Sequence, residues 1–528
     1  MERIKKYWLL SIVLAVGVLL RLINIDKPGG FWYDEMTAYT IASDFSSDWH
    51  GFWHFPLYYY IYHTWIAIFG NSDLVIRLMS VLFDAAGIVL AYLTGRQLGI
   101  ILKSDGEKTG LFCMLLYAVN SSFIYYAQEA KFYSAVFCCV DLVLLFWLRF
   151  INISNLKNFV YWFISSLILI LMHVSQGLLI FILYLMSFLT VCNKKYLLFY
   201  PAVFIPTVIL CLTVPQFFSG NFEPVFYDNS FLLLVLQNFF SPPLAGLQNN
   251  IPSYYKVVLF NILSPTFWLF ILFPVLYLLV AQITAARRYK IVRCLLLAGV
   301  LYISAHIILT IITPYNVLTR YVLPALPLLL LAAAIGMSEF SNKLFSFLIA
   351  VNLLWILSPL GVPHMQRPDG YGHLASVLIE AGINPASDFI LPIRTDLLDK
   401  YYQITGKKFS FYTLMKIPTE QDGFISGKIP AQFENFVEEN YITGNTLVVL
   451  KDTSICMFSD EQLQKIAQKG NSADYPLQFM QLSKLNNSLI AVLEDKMSLK
   501  AKLGFNNWEI FVFEPQTGRL IGLQNGQG

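Results

Sequence analysis

Eleven apolar stretches, most of them near the length of a bilayer-crossing helix, fill the larger part of the first 360 residues. No other feature constrains the fold so strongly. A hydrocarbon core of about 30 Å needs roughly 20 apolar helical residues. Inside it every backbone amide and carbonyl must be satisfied by the chain itself, so such stretches become helices packed side by side. They run over residues 7–23, 74–98, 110–125, 132–150, 159–173, 176–192, 197–214, 257–283, 291–312, 318–337 and 344–360. Composition agrees: 57% of the chain is hydrophobic and 13% charged, about half the charged share of a soluble domain. A soluble multidomain protein is excluded, and a net charge of +3 gives no argument for a nucleic-acid partner. The start, MERIKKYWLLSIVLAVGVLL, reads as an uncleaved first membrane helix, because no small-x-small cleavage site follows the apolar run.

Lys and Arg set the orientation. With the N-terminus in the cytoplasm, that side collects Arg3, Lys5, Lys6, Arg96, Lys103, Lys108, Arg149, Lys157, Lys194, Lys195, Arg287, Arg288, Lys290, Arg293 and Lys343. The opposite loops hold only Arg21, Lys27, Lys131, Lys256 and Arg320 near the membrane. The first long loop, residues 25–73, the turn around Gln128–Lys131 and everything after residue 360 are then extracytoplasmic. The fold class expected is an all-α polytopic membrane domain of about 11 helices, residues 1–360, followed by a small extracytoplasmic α/β domain, residues 361–528. In the latter, DFILPI (388–393), TLVVLK (446–451), SLIAVLED (488–495) and WEIFVFE (508–514) read as strands, and DEQLQKIAQKG (460–470) as an amphipathic helix with a glycine stop. Loop 215–255 is a second long extracytoplasmic segment. Of the seven cysteines, only Cys456 lies outside an apolar stretch, so no disulfide framework is present.

The chemistry-bearing residues gather on one side of this topology. Asp34 and Glu35 stand together in the first loop, followed by His50, His54 and Pro56 in a field of Trp, Phe and Tyr. Adjacent residues on a helix diverge by about 100°, so the two carboxylates cannot both address one atom. One is the chemical group and the other a supporting partner, or else Asp34 merely caps the helix that WYDEMTAYTIA would form. The aromatic residues fit an interfacial belt; His54 fits it less well, and a place beside phosphate or a metal is the other reading. Glu129 and Lys131 interrupt the third-to-fourth helix turn on the same side. Arg77 lies just inside the second span and needs an acid, such as Asp84 or Asp141 deeper in the bundle. His173 and His306 sit on otherwise apolar helices. A carboxylate beside several cations suits removal of a proton from an acceptor while a phosphate leaving group is held. No phosphate loop, HExxH or GxSxG motif points to other chemistry.

Four stretches carry a family resemblance: WYDEMTAY (32–39), the run from His54 to Gly99, YYAQEAKFYS (125–134) and TRYVLPALPLLLLAA (319–333). In that order they resemble the GT-C glycosyltransferases of the protein O-mannosyltransferase and lipid A aminoarabinose transferase group. The resemblance implies an inverting transfer of a sugar from a polyprenyl-phosphate donor, on the extracytoplasmic face, to a lipid, glycan or protein acceptor. It implies Asp34 as general base, with Glu35 beside it. It also implies His54, Lys131 and Arg320 at the donor phosphate, and Arg77, Gln128, Glu129, Tyr133 and Tyr321 in support. Where relatives carry Lys-Pro-Pro-Leu or His-Pro-Pro-Leu, this chain has His54-Phe55-Pro56-Leu57, and their Glu-x-Arg turn is Glu129-Ala130-Lys131. The resemblance leaves a divalent metal open, implies no other cofactor, and does not specify the sugar. Two competing readings stand beside the enzyme: a transporter or flippase of lipid-linked sugars, and an inactive relative that binds lipid headgroups. Against a transporter, no internal repeat is visible.

Overall fold

A computed structural model describes residues 2–26, 29–46, 52, 54–190, 194–205, 209, 273–312, 321–340, 342–358, 371–384, 388–391, 400–401, 408–410, 447–452, 490–491, 493–495, 497–505 and 508–515. His50, Arg320, loop 215–255 and the stretch 460–470 lie outside the described residues. The chain divides into two compact units, residues 1–27 with 34–367, and residues 28–33 with 368–528.

The first unit is helical. Among the described residues it contains α1 (Glu2–Leu22), α2 (Tyr33–Ser43), α3 (Pro56–Phe69), α4 (Asp73–Ile101), α5 (Gly106–Ala118), α6 (Ser121–Ala127), α7 (Tyr133–Asn152), α8 (Leu156–Met172), α9 (Gly177–Thr190), α10 (Phe273–Arg288), α11 (Lys290–Ile312), α12 (Leu326–Ser338) and α13 (Asn342–Leu357). Among the described residues, three helices, Asp73–Ile101, Tyr133–Asn152 and Lys290–Ile308, are long and apolar enough to cross a membrane by themselves. Together with the apolar surfaces of the shorter helices, such as Trp8, Leu19 and Leu354, which no protein covers, they make this a multi-pass membrane protein. The N-termini of α4 and α5 are capped by side chains: Ser72 accepts from the Val75 amide and Asp105 from the Lys108 amide.

The third apolar stretch is not one straight helix. α5 and α6 meet at a 56° bend. Asn120 breaks the ladder there by capping α6, its side-chain oxygen accepting from the Ser122 and Phe123 amides. The carbonyls freed at the end of α5 are taken by Arg21, which donates Nη1 to Ala118 O at 2.8 Å and Nη2 to Tyr117 O at 3.3 Å. Arg21, expected in a loop, is fully buried in the last turn of α1. It reaches that position because α1 crosses α5 at small residues: a Cβ on Gly17 would stand 3.2 Å from Ala118 Cβ and 2.7 Å from Ile88 Cδ1. α4 turns into α5 equally closely, with Gly99 facing Gly106. α4 packs against both α5 and α7, and α12 closes the bundle from the other side against α5, α10 and α11.

Two helices lie in the segment 25–73: α2, over the WYDEMTAYTIA stretch that the sequence allows as a helix, and α3, which is not expected from it. α3 was missed because its run of tyrosines reads as an interfacial belt; in the structure Tyr58, Tyr59 and Tyr62 are buried, and Pro56 starts the helix at a position where its missing N–H costs nothing. His63 Nδ1 donates to Ala42 O at 2.7 Å, fixing α3 against the end of α2.

In the second unit, five strands, β1 (Asp388–Leu391), β2 (Lys408–Ser410), β3 (Leu447–Asp452), β4 (Met497–Phe505) and β5 (Trp508–Pro515), form one sheet in the order β2-β1-β3-β5-β4. β1 pairs parallel with β2 and β3; β5 is antiparallel to β3 and β4. Residues 490–491 and 493–495 of SLIAVLED are helical, not a strand. Its buried residues, Ile490 and Leu493, are three apart, the helical spacing. Within this unit the segment 28–33 is tied down by His373 N donating to Gly29 O at 2.6 Å and Phe31 N donating to Tyr401 Oη at 2.7 Å.

Candidate active site

α2 begins at Tyr33, so Asp34 and Glu35 sit inside its first turn rather than at its cap. Both positions favour negative charge, because the unpaired amides and the helix dipole point there. The inward face of α2 is defined by Glu35, Ala38, Ile41 and Ala42, all buried. Asp34, one helical step round, keeps its side chain 21% exposed.

Glu35 is held from three directions. Arg77 Nε donates to Oε1 at 3.0 Å and Nη2 to Oε2 at 2.6 Å, a two-pronged contact between side chains that are each 1% exposed. The Ala130 amide donates to Oε1 at 2.7 Å. Arg77 completes its set with the Ile25 carbonyl at 3.2 Å. A buried guanidinium of this kind requires such a partner. The expected pairing of Arg77 with Asp84 or Asp141 is therefore wrong: Arg77 takes Glu35, and Asp84 belongs to Arg21 Nε and the Tyr117 hydroxyl. The reason is depth. Arg77 lies in the second turn of α4, level with the start of α2, while Asp84 lies two turns further along, opposite the end of α1.

Glu35 thereby fixes the 128–131 turn against α2, and with it Lys131. Lys131 Nζ donates to Asp34 O at 3.2 Å and stands 3.9 Å from Asp34 Oδ2. Its carbonyl accepts from Ser80 Oγ at 3.4 Å. Gln128 anchors the same turn from the other side, donating to the carbonyls of Arg21 and Ile23, each at 2.9 Å. Glu129 and Tyr133 are buried beside it, the Tyr133 ring 4.6 Å from that of Tyr126.

The loop before α3 joins this group through aromatic rings. Phe55 stacks on Phe132 at 4.2 Å, so His54 and Lys131, each the neighbour in sequence of one of these rings, belong to one locality. Lys131 Nζ also lies 5.7 Å from the Phe132 centroid. His173 fits edge-on against both rings, at 4.6 Å and 4.7 Å, and the Tyr321 ring lies 6.3 Å from it. The Tyr302 hydroxyl connects that region, 3.1 Å from Gln176 Oε1 and 3.0 Å from the Tyr321 carbonyl.

Of the candidate residues, the structure brings together Asp34, Glu35, Arg77, Gln128, Glu129 and Lys131, with His54, Tyr133 and Tyr321 around them. His173, singled out in the sequence only as a lone histidine, joins them. Among the described residues, no three His, Cys, Asp or Glu side chains are placed to hold a metal ion. What the arrangement offers chemically is a carboxylate about one fifth exposed with an ammonium beside it, on a base of buried ion pairing.

No protein-family model matches the sequence, and no curated protein matches it. Solved structures do. ArnT from Cupriavidus metallidurans in the apo state is similar with a TM-score of 0.54 at 12% identity, over 96% of this chain and 98% of that one. ArnT from the same organism bound to undecaprenyl phosphate gives 0.50 at 12% identity, over 96% and 98%. The Archaeoglobus fulgidus oligosaccharyltransferase in the apo form gives 0.50 at 14% identity, over 90% of this chain and 72% of that one. The fold shared with these neighbours is the GT-C fold of membrane proteins.

Proposed function

We propose that this chain is an integral-membrane glycosyltransferase that moves a sugar from a polyprenyl-phosphate donor to an acceptor hydroxyl on the extracytoplasmic side. The observation that carries the reading is the Asp34–Lys131 pair, a carboxylate oxygen 3.9 Å from an ammonium on side chains 21% and 12% exposed, next to a Glu35 committed to Arg77 and Ala130. It is supported by the fold shared with a protein solved in complex with undecaprenyl phosphate. Eleven spans, from the apolar stretches, with a cytoplasmic N-terminus and an extracytoplasmic second unit, from the distribution of Lys and Arg, complete the reading.

In the transfer, Asp34 takes the proton of the acceptor hydroxyl. The acceptor oxygen donates its electron pair to the anomeric carbon from the face opposite the phosphate. The bond between that carbon and the phosphate oxygen breaks, its electrons leave with the phosphate, and the configuration inverts. Phosphate is already a good leaving group, so no second acid is required, unlike glycoside hydrolysis. Lys131, with His54 and Arg320 in the same role, offsets the charge that develops on it. Glu35, through Arg77 and the Ala130 amide, keeps Lys131 and Asp34 at their spacing. Any metal remains outside this scheme, and no step passes through one.

The test is sugar transfer by the purified protein in lipid nanodiscs, with Asp34→Asn compared to wild type on radiolabelled polyprenyl-phosphate sugars. Loss of transfer by about 10²- to 10⁴-fold with donor binding retained is expected of a general base. Transfer at the wild-type rate would remove Asp34 from that role. Donor flipping without transfer would replace the enzyme by a transporter. Mass spectrometry of glycans and lipids from cells lacking the protein then identifies the missing sugar.

A further inference from the structure

His173 closes α8 and opens the single 3-10 turn Val174–Gln176 that separates α8 from α9. Its backbone there is extended, φ −160° and ψ 110°. The ring turns back on this turn, and Nδ1 accepts from the Ser175 amide at 3.3 Å and lies 3.0 Å from Ser175 Oγ. A backbone amide can only donate, so Nδ1 carries a lone pair and the ring proton resides on Nε2. That N–H is buried and has no hydrogen-bond partner among the described residues. A buried donor without an acceptor is costly, and native proteins keep few of them without a use.

Its surroundings define what would satisfy it. The ring stands edge-on against Phe55 and Phe132, the two aromatics that carry His54 and Lys131 as sequence neighbours. The titratable groups that act on it electrostatically are His54, His306 and Lys131, all of them bases. The N–H without a partner thus shares its locality with Lys131 and His54, and an anionic oxygen suits the charge there.

We infer that His173 is a further donor-binding residue, giving its Nε2–H to an oxygen of a phosphate ester. This rests on the reading of the site given above. The role differs from that of Lys131. An ammonium supplies charge from any direction, whereas a neutral imidazole fixed by Ser175 supplies one directed hydrogen bond and so orients the phosphate.

The test uses the full chain in nanodiscs and measures binding of three probes: a polyprenyl phosphate, the corresponding polyprenol and inorganic phosphate. His173→Leu is expected to weaken polyprenyl phosphate about 10- to 100-fold, as loss of a hydrogen bond to a charged group does, and to leave polyprenol within twofold. His173→Gln, which can present an amide N–H, is expected to recover part of the loss. Competition by inorganic phosphate that also depends on His173 assigns the site to phosphate as such; its absence assigns it to the lipid headgroup. Unchanged polyprenyl phosphate binding in folded His173→Leu overturns the inference alone, and turns the N–H onto the faces of Phe55 or Phe132. No preference for polyprenyl phosphate over polyprenol in the wild type overturns the proposed function as well. Should His173→Leu fail to fold, imidazole nitrogen NMR of the wild type decides: a protonated Nε2 whose resonance moves on adding polyprenyl phosphate is expected, and no movement overturns the inference.

Discussion

Replacing Glu35 with glutamine, beside replacement of Asp34 with asparagine, separates two adjacent carboxylates by the work each does. Glu35 receives Arg77 Nε at 3.0 Å, Arg77 Nη2 at 2.6 Å and the Ala130 amide at 2.7 Å, with both side chains of the ion pair 1% exposed. Glutamine is nearly isosteric, but it turns one accepting oxygen into an NH2 facing a guanidinium and removes the countercharge. Breaking a buried pair in this way costs about 3–5 kcal/mol. Asp34 stands at 3.9 Å from Lys131 with 21% of its side chain exposed, and pairs of that kind contribute about 0–1 kcal/mol. The two variants should therefore differ by at least about 2 kcal/mol, roughly 30-fold in the ratio of folded to unfolded protein. The assay is unfolding of the detergent-solubilised protein by heat or by SDS, followed by intrinsic tryptophan fluorescence. Asp34→Asn should unfold with the wild type, and Glu35→Gln well before it. A double variant, Glu35→Leu with Arg77→Met, should recover all but the cost of an Ala130 amide left without its acceptor, about 1–3 kcal/mol. Equal stability of both single variants, or Glu35→Gln within 1 kcal/mol of wild type, would refute the assignment of Glu35 to structure and Asp34 to chemistry.

Arg21→Met should destabilise by about 3–5 kcal/mol, because it strands the buried Asp84 and uncovers the carbonyls at the α5–α6 bend; adding Asp84→Leu should restore most of the loss in the same unfolding assay. Gly30→Ala should weaken the second unit by about 1–3 kcal/mol, since φ is +105° there and a Cβ would stand 2.5 Å from the Gly372 amide nitrogen. Limited proteolysis of residues 368–528 should accelerate in that variant, and unchanged cleavage would remove the tie between 29–31 and 372–373 as a determinant of its stability.

Much of this molecule is legible in its residues. Length and spacing of the apolar stretches suffice for a helical membrane protein, because lipid accepts almost no other backbone. The 100° step along a helix suffices to say that Asp34 and Glu35 face different ways. β1, β3 and β5 are legible as apolar runs between turn formers. Less legible are α3, whose tyrosines suit both an interface and a buried helix face, and residues 490–495, where four apolar residues of a short run fit either period until burial shows which one repeats.

Partnership was decided only by the tertiary structure. Arg77 meets an acid 42 residues before it, Lys131 one 97 residues before it, and Arg21 one 63 residues after it. Nothing local distinguishes these acids from others of the same type, such as Asp141. Which pairs form depends on how deep each helix sits beside its neighbour, and that is set by close approaches such as Gly17 against Ala118. The same holds for His173: the break between the stretches 159–173 and 176–192 is legible in the sequence, but only the Ser175 contact and the Phe55–Phe132 stack give its ring a direction. Sequence fixes which groups a membrane must bury or expose, since that depends on each residue's own transfer energy. Contacts across the bundle arise from the sum of many packings, and no single residue carries that sum.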